Sequence, residues 1–164
     1  MKGMIAAGSL ILGVGVAICA SVVGADNAQV PYPEGYRAWR HVSSMVIEAG
    51  HPLHSSFGGL HHLYANDKAV QGYSSGKFPD GSVIVFDLLE ANAADHAITA
   101  GKRKVVGVML KDAKKFASTG GWGFEGFAGD SKTERAVGAN AATACFGCHT
   151  AQSSNDFVFS RYRE

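Results

Sequence analysis

The sequence predicts an α+β domain: an antiparallel sheet of about four or five strands with short helices around it. Three observations carry this reading. Valine-rich segments alternate at the two-residue spacing of strands. Glycine, proline and Asp-Gly stand between them as turn signals. Only one alanine-rich helical stretch stands out, "NAATACFGCHTAQ", and it comes close to the end. So many valines and glycines at strand spacing exclude an all-helical bundle.

The elements follow in order. "VPYPEGY" is an extended, proline-punctuated arm, and "AWRHVSSMVIE" is a short apolar stretch, helix or strand. "GGLHHLYAN" alternates as a strand with Leu60, His62 and Tyr64 on one side. Asn66 or Asp67 can cap a short helix, "DKAVQGYSSG", which Gly76 ends. "FPDGS" is a turn. "SVIVFDLLE" is the best strand in the chain, with Ile84, Phe86 and Leu88 on one face. "RKVVGVMLKD" is the next strand, "AKKFAST" a helical turn, and "GWGFEGFAG" a glycine-rich strand. "FVFSRYR" closes the chain as a strand or an extended tail.

Residues 1–25 read as a signal peptide. Lys2 is the only charge before Asp26, an apolar run follows it, and small residues lead to cleavage after Ala25. An uncleaved membrane anchor over Met4 to Ala25 is the rival, and the small residues favour cleavage. Residues 26–164 then form one exported, periplasmic domain. Its Lys+Arg count falls from 15 to 14 and equals Asp+Glu at 14. A neutral chain has no charge with which to attract nucleic acid or an anionic membrane. Cysteines fall from three to two, both in "CFGC", so no disulfide can staple another part of the domain.

"CFGCH" is the pattern of covalent haem attachment. On a helix Cys145 and Cys148 lie on one face, so each thiol can bond one vinyl group of a single haem c. His149 can then reach the iron as its proximal ligand. A zinc site would need a second pair of ligands, and no second Cys-x-x-Cys exists. A thioredoxin-like pair would sit in a βαβ unit, which the pattern lacks.

The other side of the iron decides the function. Nothing after His149 is Met or His, so a sixth ligand must come from upstream. Met45, Met109, His41, His51, His54, His61, His62 and His96 are the candidates. Met109 reads as core, at most one of His61 and His62 faces inward, and His51 and His54 fall in a loop. None stands out, which favours an open position.

Four blocks resemble the cytochrome P-460 family: "GYRAW", "GKFPDGSVIVFDL", "GGWGFEGF" and "ACFGCHTAQSSNDFVFSRY". The resemblance implies a β-rich, homodimeric haem protein with two branches. In one, a lysine of a "DGxVxVK" strand is cross-linked to the haem, and the proteins oxidise hydroxylamine, some also handling nitric oxide. In the other, the cytochrome c′-β branch, phenylalanines cap a five-coordinate haem that binds nitric oxide and carbon monoxide. Here Phe86 occupies the lysine position, so the cross-link cannot form. The second cap residue is expected on an earlier strand, where Phe57 in "HSSFGGL" fits.

An apolar cap has chemical consequences. Oxygen held at a haem needs a hydrogen-bond donor, and two phenyl rings offer none, whereas nitric oxide and carbon monoxide need far less polar help. Peroxide cleavage needs a distal acid–base group, also missing. The expectation is a nitric oxide or carbon monoxide binder acting as sensor, scavenger or carrier. An oxidoreductase acting on hydroxylamine or nitric oxide, and a plain electron carrier with an unknown redox partner, are the alternatives.

Overall fold

The computed structural model describes residues 29–163. The expected signal peptide and its cleavage point lie outside the described residues. Among those described, no helix is long and apolar enough to cross a membrane.

Five antiparallel strands form one sheet in sequence order: β1 (Arg40–Ile47), β2 (Gly59–Ala65), β3 (Val83–Ala94), β4 (Ala97–Lys111) and β5 (Trp122–Ala128). The α+β expectation holds. "AWRHVSSMVIE" resolves as strand, as its Val-Ile end favours. β3 and β4 run past the expected ends because they form one long hairpin. Its two-residue turn, Asp95 and His96, has φ of 50° and 59°. Such turns match the twist of the flanking strands, and aspartate tolerates the left-handed region.

Between β2 and β3 lies α2 (Asp67–Ser75). Asn66 caps it by accepting from the Ala69 N–H at 2.9 Å, and Gly76 ends it at φ 74°. A second short helix, α1 (His54–Phe57), precedes β2 and was expected as loop. The terminal "FVFSRYR" is extended and joins no strand.

Both faces of the sheet are covered. On one, the N-terminal arm packs Val30 and Tyr36 against Val85, Val106, Val108 and Phe127. There the Asp87 carboxylate is fully buried and accepts from Tyr36 Oη at 2.8 Å and Arg103 Nε at 2.7 Å. On the other face, α2 and the C-terminal segment cover Val42, Ala65, Ile84, Trp122 and Phe124. The strand pairings define three rows across that second face. They are Ala65–Ile84–Met109–Phe124, Leu63–Phe86–Gly107–Gly126, and His61–Leu88–Val105–Ala128.

Candidate functional site

The C-terminal helical segment changes pitch at the motif. Ala142–Phe146 is wound as a π-helix, Gly147–His149 as α (α3), and Thr150–Asn155 as 3-10. Single π turns inside helices are frequent at functional sites. Cys145 and Cys148 are free thiols on this segment, the first half-buried and the second exposed. Burial, aided by Glu125 and Cys148, pushes the Cys145 thiol above its usual range.

His149 is oriented by its backbone. Its Nδ1–H donates to the Phe157 carbonyl at 2.7 Å, which assigns the proton to Nδ1 and leaves Nε2 free. Burial lowers its pKa, partly opposed by the Phe157 bond, so the ring is held neutral. Phe124 and Phe159 flank it with ring centroids at 5.0 Å each. A neutral imidazole with one nitrogen engaged and the other open is the form in which histidine binds a metal.

The acceptor is built with care. Asp156 and Phe157 both have positive φ, 48° and 65°. A bulky residue there is strained by about 1–3 kcal/mol, and surrounding structure must hold it. Asp156 supplies the hold. Its carboxylate accepts from the Phe78 N–H at 2.9 Å and from Lys111 Nζ at 2.7 Å, and its carbonyl accepts from Trp122 Nε1 at 2.8 Å. The Lys111 and Asp156 side chains are about nine-tenths buried. Lys111 Nζ also lies 5.0 Å from the Trp122 ring centroid. Glu125 holds the approach to the motif: it accepts from the Val137 and Gly138 N–H groups and from Arg135. Burial raises its pKa, but these donors outweigh burial and leave it lowered.

The row beside Phe124 carries Phe86, Gly107 and Gly126. Gly107 lets the Phe86 ring lie close to the β4 backbone, while Val105 and Val137 fill the space over Gly126. A Cβ on Gly107 would come within 3.0 Å of Phe86 Cδ1. Phe57 meets Phe86 edge to face at 6.0 Å between centroids. The expected pair is therefore brought together, with one correction of setting. Phe57 ends the helix α1 and does not sit on a strand. Phe86 is half-buried and Phe57 is 39% exposed.

The other axial candidates sort themselves. Met109 packs in the core, while Met45, His41, His51, His54 and His96 are exposed. His62 is on the opposite sheet face and hydrogen-bonds Ser44. Only His61 is buried, at 2% exposure, on the same face as Phe86.

Residues 33–160 match the Cytochrome P460 family model. The chain belongs to the cytochrome P460 family. No curated protein matches the chain closely enough to be counted as a relative. Membership makes this a haem protein. The donor set of this P460 chain fits that group: two unpaired thiols three residues apart and a neutral imidazole with Nε2 free.

Sequence reasoning missed Lys111, Trp122, Glu125 and Gly107, and quoted Asp156 only as part of a block. A signal existed for Glu125. It is a lone charge inside the apolar strand "GWGFEGF", where a charge must be satisfied or turned outward.

Proposed function

We propose that the mature chain, residues 26–164, is a periplasmic c-type haem protein that binds nitric oxide and carbon monoxide. Cys145 and Cys148 would hold one haem c per chain through thioether bonds to its vinyl groups. His149 is its protein ligand through Nε2. The haem supplies an open coordination position for a small diatomic ligand. Phe57 and Phe86 would cap the open position, excluding water and offering no hydrogen bond. The reading implies a sensor, scavenger or carrier of the cytochrome c′-β kind. It also implies a homodimer, supported by the exposed apolar side chains of Met45 and Val46 on the edge strand β1 and of Leu53 beside it.

One observation carries this reading: Phe86, which the resemblance aligns with the cross-linking lysine, meets Phe57 edge to face, on the sheet face that also packs against His149. An oxidoreductase acting on hydroxylamine or nitric oxide would have to work without the cross-link, because Phe86 has no amine. A plain electron carrier would need a sixth ligand, and His61 is the one buried histidine available for it.

The test is spectroscopic and kinetic. Haem should stay with the polypeptide through acid–acetone extraction, and Cys148→Ala should leave at most one thioether. The ferrous protein should be five-coordinate and high spin. Phe86→Ala should bind carbon monoxide and nitric oxide faster, with a stability loss of about 1–3 kcal/mol for a half-buried aromatic side chain. Unchanged gas-binding rates with the fold intact would reduce Phe86 to ordinary sheet packing. A low-spin, six-coordinate ferrous spectrum would replace the gas binder with an electron carrier.

A further inference from the structure

We propose that His61 is the positioning residue of the distal cap, tying the Phe57 backbone to the Phe86 ring so that the two phenyl groups move as one gate for small ligands. The proposal rests on the gas-binding reading and says what regulates passage at that site.

His61 touches both partners. Its Nε2 is hydrogen-bonded to the Phe57 carbonyl, and its ring meets Phe86 edge to face at 4.7 Å. A carbonyl only accepts, so the proton is on Nε2. Nδ1 is then a bare acceptor, and it is buried with no partner. An orphaned buried nitrogen costs stability, so a histidine here needs a reason beyond filling space. The reason is the bond to Phe57. Leucine would pack in its place without the orphan, but it would leave that carbonyl unheld.

The segment bearing Phe57 lies between a short helix and the sheet. Gly58 and Gly59 follow it, and Gly59 has φ 132° with the Leu89 carbonyl so near that no Cβ fits. Lys104 Nζ donates to the Gly58 carbonyl at 2.7 Å from the far side. A cavity of about 400 Å³ opens beside the segment, lined in part by Ile47, His54, Gly58, Gly59, Glu90 and Lys104. The helix that ends in Phe57 therefore has open space beside it and two ties that reach it from outside. Only the His61 tie also reaches Phe86.

The test uses the haem-loaded protein with carbon monoxide as the probe. His61→Leu should raise the association rate by about tenfold, the worth of one hydrogen bond. It should also raise amide hydrogen exchange across residues 54–59. His61→Gln, whose amide can donate to the same carbonyl, should restore both. If His61→Leu does not fold, His61→Asn takes its place, being too short to reach the carbonyl. The ferrous spectrum should be that of the wild type throughout. Equal rates and equal exchange in wild type and His61→Leu overturn the proposal. So does a six-coordinate wild-type spectrum that becomes five-coordinate in His61→Leu, because His61 would then be an iron ligand. A five-coordinate wild type that takes up no carbon monoxide sinks the gas-binding reading instead, and the exchange measurement then still decides whether His61 holds the loop.

Discussion

His149 and Phe86 lie on one side of the same sheet, yet they are held by different forces. His149 is fixed through polar groups: Phe157 accepts its proton, Asp156 sets Phe157, and Lys111, Phe78 and Trp122 set Asp156. Phe86 is held by ring edges, a glycine beneath it, and one histidine. Hydrogen bonds are directional and weaken steeply once the donor angle falls below about 120°, so the first arrangement fixes an orientation. Aromatic edge contacts are shallow and tolerate sliding, so the second permits motion. On the proposed gas-binding reading, the difference would suit a ligand that must not turn beside a cap that must give way.

The comparison breaks most visibly at Asp156. Asp156→Ala should cost about 3–5 kcal/mol, because it leaves the Lys111 ammonium buried without its partner. The Phe78 N–H loses its acceptor as well. The urea midpoint of the holoprotein should fall, and the iron–histidine stretching band should broaden as His149 loses a fixed acceptor. Asp156→Asn keeps an acceptor for Phe78 but not the charge, and should fall between. An unbroadened band in Asp156→Ala would mean that Phe157 holds its conformation unaided.

The two regions also differed in how readily the sequence disclosed them. The motif, the strand alternation and the Asn66 cap are local patterns within a few residues, and each was legible. Phe86 was legible because a turn, "FPDGS", fixes the start of its strand. The polar relay was not. Lys111 and Asp156 lie far apart in sequence, and either alone reads as a surface charge. His61 and His62 must face opposite ways on a strand, but which of them is buried depends on what covers each face. The helical setting of Phe57 was not legible, since the three polar residues before it carry no strong helical signal.

Gly107 sharpens the comparison from the cap side. Gly107→Ala would press a methyl group onto the Phe86 ring at 3.0 Å, tighter than ordinary contact. Overpacking of this kind costs about 1–3 kcal/mol. If the cost comes from Phe86 alone, it should vanish when Phe86→Ala is already present. A double-mutant cycle on urea midpoints measures that coupling directly. Additive losses would place the strain in the β4 backbone, and the cap would then be less free-standing than its contacts suggest.

The smallest effect concerns pH, and it separates the cap from the relay. Burial lowers the pKa of His61 from 6.5, with the bond to Phe57 working the other way and Lys104 and His62 adding to the lowering. An unfolded chain therefore takes up a proton at this position at a higher pH than the folded one does. Stability from a neutral His61 is fully present above about pH 6.5 and is lost as pH falls through the lower folded value. His62 is also lowered by burial, with His41 beside it, so it contributes a slope of the same sign. Subtraction isolates His61. Urea midpoints of the holoprotein measured at about pH 8 and about pH 5 should differ less in His61→Gln than in the wild type, since glutamine does not titrate. The iron–histidine band of the wild type should not move over the same range, because the Lys111–Asp156 pair, not His61, sets His149. Equal slopes in the two proteins would show that His61 is protonated at no cost. The cap would then need some tie other than a neutral imidazole.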